Sequence, residues 1–337
     1  MREHDVHGVA TERGRADRLC GWTVAGAALV LVMVGCGGSP AEDSAAIIAF
    51  TSNRDHEGPS EVFATMNTEI YTMTASGDDI VRITHDPGVD LYPRWSGTGS
   101  EIAFMSNRDS GTESMDLYVI DLDTQEVRRL TTTGGVFGHE WSADDNTLVY
   151  AHETSTGLAV RTIGADGTDD RFVTDGSWPS FSPDGSQILF TQGEFFEEPQ
   201  SLAIIDIETG STTAVPLALD NSSESTWSPA GDRIAFMSNP NGYDGAVEDW
   251  DEEIYVASLD GTNVVRVSNR LGNDHWPPSW SADGRCLTWQ GDDPNSNDNF
   301  ASDIIVAGVD GGQPINLTAD SGFGELFPDW SPGTCPL

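Results

Sequence analysis

The chain has 337 residues and a formal charge of -39, with 55 acidic side chains against 16 basic ones. All 16 basic residues are arginine, and the lack of lysine excludes Schiff-base chemistry and a P-loop lysine; a field this negative also repels nucleic acid and anionic lipid surfaces. An apolar content of 37% suffices for a packed core, and 36 glycines with 17 prolines point to many turns.

The first predicted elements are those of export. Residues 1–18 carry Arg2, Arg13, Arg15 and Arg18, and an uncharged apolar core runs from Ala25 to Val34. That length suits a signal-peptide h-region and is short for a membrane span. Val34-Gly35-Cys36-Gly37 follows, then Gly38-Ser39-Pro40. This order resembles a bacterial lipobox, which implies that Cys36 becomes the first mature residue and carries the lipid. An ordinary cleaved signal and an uncleaved anchor are the alternatives. The expected organisation is a leader at 1–35, a flexible linker at 36–46 and a folded domain at 47–337. In each version the domain is exported, so Cys286 and Cys335 meet an oxidising compartment.

The body is a repeat. Pro93-Arg94-Trp95-Ser96 recurs as His139-Glu140-Trp141-Ser142, Pro179-Ser180-Phe181-Ser182, Ser225-Thr226-Trp227-Ser228, Pro278-Ser279-Trp280-Ser281 and Pro328-Asp329-Trp330-Ser331. Each phrase leads into a turn such as Ser182-Pro183-Asp184-Gly185, where Pro pre-sets one dihedral and Gly takes positive φ. In all but the last copy an apolar run follows, as in Ile102-Ala103-Phe104. Residues 69–84, 116–131, 253–268 and 303–318 then each give two further β-rich runs around a Gly or Asp turn. Strand, turn, strand, turn, strand, turn, strand is the content of one propeller blade. The domain opens at Ile47 on a second strand that lacks its first, and closes near Trp330 on a first strand that lacks its second. Pairing the two makes a composite blade and removes two exposed sheet edges. The expected fold is therefore all-β, a six-bladed β-propeller with four antiparallel strands per blade, closed by both termini.

The consensus reads near Pro-x-Trp-Ser-Pro-Asp-Gly-x-x-Ile-Ala-Phe-x-Ser-Asn-Arg-Asp, followed by Glu-Ile-Tyr-Val, with its best copies at 93–109 and 225–239. It resembles the repeat of the TolB-like propellers over roughly residues 47–333. The resemblance implies a rigid disc that works by binding in the cell envelope. TolB itself carries an additional N-terminal α/β domain, for which this chain is expected to have no room. The same repeat forms the propeller of some serine peptidases, but no Gly-x-Ser-x-Gly elbow occurs here.

Three sets of residues are candidate sites. Counting five residues back from each repeated aromatic gives a ring at the channel mouth: Asp90, Val136, Gly176, Ser222, His275 and Glu325. His275, Glu325 and Asp90 fall on consecutive blades and His139 joins from the next, a set that could ligate a divalent cation or act as acid and base. Solvated or capping side chains at loop ends are the competing reading. Two acidic insertions form the second set, Asp244, Glu248, Asp249, Asp251 and Glu253 in blade five and Asp292, Asp293 and Asp298 in blade six. They are dense in the oxygen ligands calcium takes, against the plainer reading of solvated loops; calcium is the one candidate cofactor. The third set is Cys286 and Cys335, at matching places on adjacent blades, where a disulfide would latch the ring if the two come close enough.

The repeated Trp is expected to pack between blades rather than to present a ligand platform, with Trp178 and Trp276 lining the channel mouth. The functional expectation is an exported, lipid-anchored, monomeric scaffold, in the periplasm or on the outer surface of the envelope, that binds an envelope protein, peptide or glycan. Its alternative is a metal-dependent hydrolase or lyase acting on a sugar or phosphate ester at the channel mouth.

Overall fold

Runs such as Glu101-Ile102-Ala103-Phe104-Met105-Ser106 are rich in β-branched and aromatic residues and bounded by turn formers, which favours short strands over helices. The computed structural model describes residues 46–55, 67–110, 114–193, 199–239, 252–268, 274–292, 302–319 and 321–337. These fall in one unit, Asp43–Leu337. Cys36, Asp244, Glu248, Asp249, Asp251, Asp293 and Asp298 lie outside the described residues, as do the side chains of His275 and Asp292.

Among the described residues every regular element is a strand. The first group is β1 (Ile47–Ser52), β2 (Glu69–Thr74) and β3 (Val81–Arg82). Blade two holds β4 (Asp90–Trp95), β5 (Glu101–Ser106), β6 (Asp116–Asp121) and β7 (Val127–Arg129). Blade three holds β8 (Val136–Trp141), β9 (Thr147–Thr154), β10 (Gly157–Gly164) and β11 (Arg171–Asp175). Blade four holds β12 (Ser177–Phe181), β13 (Gln187–Gln192), β14 (Ser201–Asp206) and β15 (Thr212–Ala214). Blade five holds β16 (Ser222–Trp227), β17 (Arg233–Ser238), β18 (Glu253–Ser258) and β19 (Val265–Arg266). Blade six holds β20 (Asp274–Trp280), β21 (Cys286–Asp292), β22 (Ser302–Gly308) and β23 (Ile315–Asn316), and β24 (Glu325–Trp330) ends the chain. β24 pairs with β1, so blade one is β24-β1-β2-β3 and the ring has six four-stranded antiparallel sheets. The expected six-bladed propeller with its composite blade is the observed fold.

Closure is doubly fastened. Ile48 sits opposite Trp330 and Ser52 opposite Glu325 in the β1–β24 ladder. The Ile47 amide donates to Ser331 Oγ at 2.8 Å, and the Ser331 amide returns a bond to the Ile47 carbonyl. Cys286 and Cys335 form a disulfide with their Cα atoms 5.8 Å apart, inside the usual range for that bond. The equivalent positions on blades six and one are thus near enough to bridge, because the chain after β24 folds back onto the β20–β21 turn, where the Cys335 amide meets Asp283.

Each repeated aromatic packs backwards onto the preceding blade. Trp95 joins Ala49 and Ile70 of blade one, Trp280 joins Ala235 and Met237 of blade five, and Trp330 joins Ile304 and Val306 of blade six. The indole nitrogen of Trp141 donates to the Arg94 carbonyl on blade two at 3.0 Å. Stacked sheets bury both faces of their middle strands, so β5 and β17 read as nearly continuous buried runs rather than alternating ones. The outer strands β3, β7, β15, β19 and β23 are only two or three residues long, which shortens the edge open to another chain.

Candidate functional site

The innermost strands β4, β8, β12, β16, β20 and β24 contact one another in sequence around the axis and close the ring between β20, β24 and β4. The two acids expected at the channel mouth sit at the start of such strands, fully buried, and each closes on an arginine of its own blade. Asp90 accepts from Arg108 at 2.7 Å and from Ser106 Oγ at 2.6 Å. Glu325 accepts from Arg54 at 2.6 Å. Burial raises the pKa of both carboxyls, while the neighbouring arginine works in the opposite direction.

Those arginines come from the repeated Ser-Asn-Arg-Asp phrase, and each of its four residues has a structural task. Ser106 Oγ accepts from the Arg108 side chain, Asn107 accepts from the Val89 amide, Arg108 lies over the Phe104 and Tyr118 rings, and Asp109 accepts from the Tyr118 hydroxyl. Ser52, Asn53, Arg54 and Asp55 do the same in blade one.

Asp90, His139, His275 and Glu325 are therefore not brought together as one set by the residues that can be placed. His139 lies three residues further along its strand than the ring position, about 10 Å at strand rise. No three His, Cys, Asp or Glu side chains among the described residues come within metal-holding reach of one another. Glu253, expected in a calcium loop, is the first residue of β18, and its carboxylate is taken by Arg266 and Ser268. Glu69 with Arg82 and Thr84, and Asp116 with Arg129 and Thr131, repeat that arrangement.

The channel itself is plugged. Each innermost strand bulges once, and the ladder register shifts at that point in all six blades. The bulged residues hold left-handed φ: Tyr92 (63°), Gly138 (59°), Trp178 (49°), Glu224 (50°), Trp276 (77°) and Phe327 (53°). For a bulky side chain this conformation costs about 1–3 kcal/mol, and a bulge re-aims the side chain out of the pleat. Four aromatics meet as a result. The Tyr92 ring centroid lies 4.5 Å from Phe327, 5.4 Å from Trp178 and 6.5 Å from Trp276. Trp178 and Trp276 are 5.7 Å apart. Gly138 makes the room, since a Cβ there would stand 2.6 Å from Trp178.

Just past the plug lies a small charged well lined by Tyr92, Arg94, His139, Glu140, Trp178 and Ser225 among others. Arg94 is buried, 3.6 Å from Glu140 and 3.6 Å from Asp329, with its guanidinium 4.8 Å over the Tyr92 ring. Asp329 also accepts from the Trp95 amide and from Ser279. Burial lifts the Glu140 carboxyl to about 7, Arg94 opposing and Asp329 adding to the rise. Asp329 is raised by burial too. Burial and then Arg94 hold His139 down to about 3, so its ring is neutral. The well thus offers one fixed cation, closely set carboxylates and a neutral imidazole.

A family model described as the TolB beta propeller domain matches residues 60–230, half of the chain. The chain belongs to that TolB propeller family. Among curated relatives, the Tol-Pal system protein TolB of Francisella tularensis is 24% identical over 222 residues, 63% of this chain and 48% of that protein. Dipeptidyl-peptidase 5 of Porphyromonas gingivalis is 23% identical over 279 residues, 78% of this chain and 39% of that protein. The chain spans less than half the length of both. The crystal structure of TolB from Acinetobacter baumannii superposes with a TM-score of 0.70 at 17% identity, covering 87% of this chain and 68% of that one; this is a likeness of fold.

Within this TolB propeller, the positions counted from the sequence and the charged well lie at different depths of the channel. The bulged ring forms the plug, three residues before the aromatic in five blades and four before it in blade six, where Trp276 precedes Trp280. The ring one residue before the aromatic, Arg94, Glu140, Ser180, Thr226, Ser279 and Asp329, carries the charge of the well. The signal was present in the sequence. Those last six positions hold five different residue types within an otherwise repeated phrase.

Proposed function

We propose that the protein is an exported, lipid-anchored propeller scaffold that binds a protein or peptide partner of the cell envelope at the charged well of its channel. The observation that carries this reading is the well itself: a rigid ring sealed by aromatics, with a buried arginine and unevenly placed carboxylates left on one side of the seal. A seal of this kind suits recognition of a group presented to the surface better than passage through the disc. Membership of the TolB propeller family and likeness to a Tol-Pal system protein support an envelope setting. The apolar core before Cys36 supports export and lipidation.

The test has two arms. Wild-type protein and a Cys36→Ser variant are followed for incorporation of labelled palmitate, with label expected only in the wild type. Wild-type and Arg94→Ala protein are then used as baits in envelope extracts. A partner retained by wild type and lost with Arg94→Ala supports the reading; equal capture by both baits removes the well from it.

A further inference from the structure

The well holds more unmatched polarity than a merely solvated surface. His139 is 3% exposed, and neither ring nitrogen has a hydrogen-bond partner among the described residues. The Ala103 backbone lies near enough to favour a charged ring, but outside hydrogen-bond geometry. The Ser225 and Tyr92 hydroxyls are buried in the same unpartnered condition. Each such atom costs about 1–3 kcal/mol when nothing meets it. All three side chains line one cavity of about 20 Å³, room for a single water-sized group.

Charge decides what that group is. The charged and titratable groups lining the well are Tyr92 and Arg94 from β4 and His139 and Glu140 from β8, and Glu224 from β16 and Asp329 from β24 act on Tyr92 and Arg94 from behind that lining. Counting those two, three carboxylates and one cation set the field around the cavity, which disfavours an anion. The Tyr92 and Trp178 rings line the cavity, and the Tyr92 ring already carries the Arg94 guanidinium, the kind of contact aromatic rings make with cations. A planar guanidinium is too large for the volume. An ammonium has three tetrahedral donors, and the neutral His139 ring, Ser225 Oγ and the Glu140 carboxylate supply three acceptors.

We infer that the well is a primary-ammonium site, built to receive the tip of a lysine side chain from a partner protein. The inference rests on the scaffold reading above and names the chemistry of its ligand. This chain contains no lysine, so a second copy of it has no such side chain to offer. The arriving charge favours the ionised form of Glu140, so binding releases a proton and weakens as pH falls below about 7.

The experiment is calorimetric titration of the purified protein at pH 8 with Nα-acetyl-lysine amide, alongside the arginine and norleucine analogues. The lysine probe is expected to bind about tenfold more tightly than either analogue, and Glu140→Gln to weaken it about tenfold, the worth of one charge-assisted hydrogen bond. Ser225→Ala, which removes no existing bond and relieves an unmet buried hydroxyl, is expected to weaken it without lowering the melting temperature. Equal binding of lysine and norleucine probes, no binding at all, or indifference to Glu140→Gln overturns the site. Lysine acetylation of a captured partner separates this inference from the scaffold reading. Capture that survives acetylation refutes the ammonium site and keeps the scaffold. A lysine probe that binds while no partner is captured does the reverse.

Discussion

Removing Arg108 tests whether the Ser-Asn-Arg-Asp phrase is structural. Asp90 is fully buried and its carboxylate is matched by Arg108 at 2.7 Å and Ser106 at 2.6 Å. Arg108→Leu keeps an apolar stem over Phe104 and Tyr118 but leaves a buried carboxylate without its cation, which costs about 3–5 kcal/mol. For a domain of this size that lowers the melting temperature by about 5–8 °C. Blade five shows the compensated state: Ser222 takes the acid's place, and Pro240 stands where the arginine would be. The double variant Asp90→Ser with Arg108→Leu should therefore recover most of the loss, a coupling of about 2–3 kcal/mol in a double-mutant cycle. Thermal or urea unfolding of the four proteins measures it. Additive single effects, or a single-mutant loss below about 1 kcal/mol, would refute the assignment of this pair as a buried structural unit.

Stability should peak on the acid side of neutrality. Glu69 and Glu140 titrate near 7 in the folded protein, both raised by burial, so between about pH 4.5 and 7 the fold holds protons that the unfolded chain has lost, and stability falls as pH rises through that window. Asp121, Asp144, Asp166, Asp184, Asp206 and Asp260 are held below the ordinary value by hydrogen bonds within their turns, so their contribution is lost as pH falls below about 4. A melting temperature that is highest near pH 5 is expected, and a maximum at pH 8 contradicts it. Gly138→Ala places a Cβ 2.6 Å from Trp178 at a φ of +59°, and should cost about 2–4 kcal/mol with a change in near-ultraviolet dichroism; a loss under 1 kcal/mol argues against the plug. Replacing Cys286 and Cys335 by serine opens a crosslink spanning 49 residues, and urea unfolding should show a loss of about 4 kcal/mol.

The blade count, the composite closure and the inter-blade role of the repeated Trp were legible because each recurs, and recurrence averages out local ambiguity. The plug was not. Tyr92, Trp178, Trp276 and Phe327 adopt left-handed φ, a conformation that residue preference disfavours and that only the crowded centre of the ring imposes. Counting residues along an ideal strand therefore placed Asp90 and Glu325 in the channel, where in fact they turn back to Arg108 and Arg54. The partner of a buried acid lies on the neighbouring strand, and sequence spacing along one strand does not reveal it.

The contrast between repeated and unrepeated positions gives a sharper rule for this ring. Where Asp90 and Glu325 occur, a Ser-Asn-Arg phrase closes the second strand of the same blade, and Val136, Gly176 and Ser222 stand in blades without it at that place. Acid and arginine come and go together, as members of one bonded unit must. One residue before each aromatic there is no such partnership within a blade. Arg94 is answered by Glu140 and Asp329 from the two blades on either side. A charge balanced only across blades contributes nothing to building a single sheet, so blade formation does not require it. It exists because three particular blades meet at one place on the axis, and that place is where a ligand would find them together.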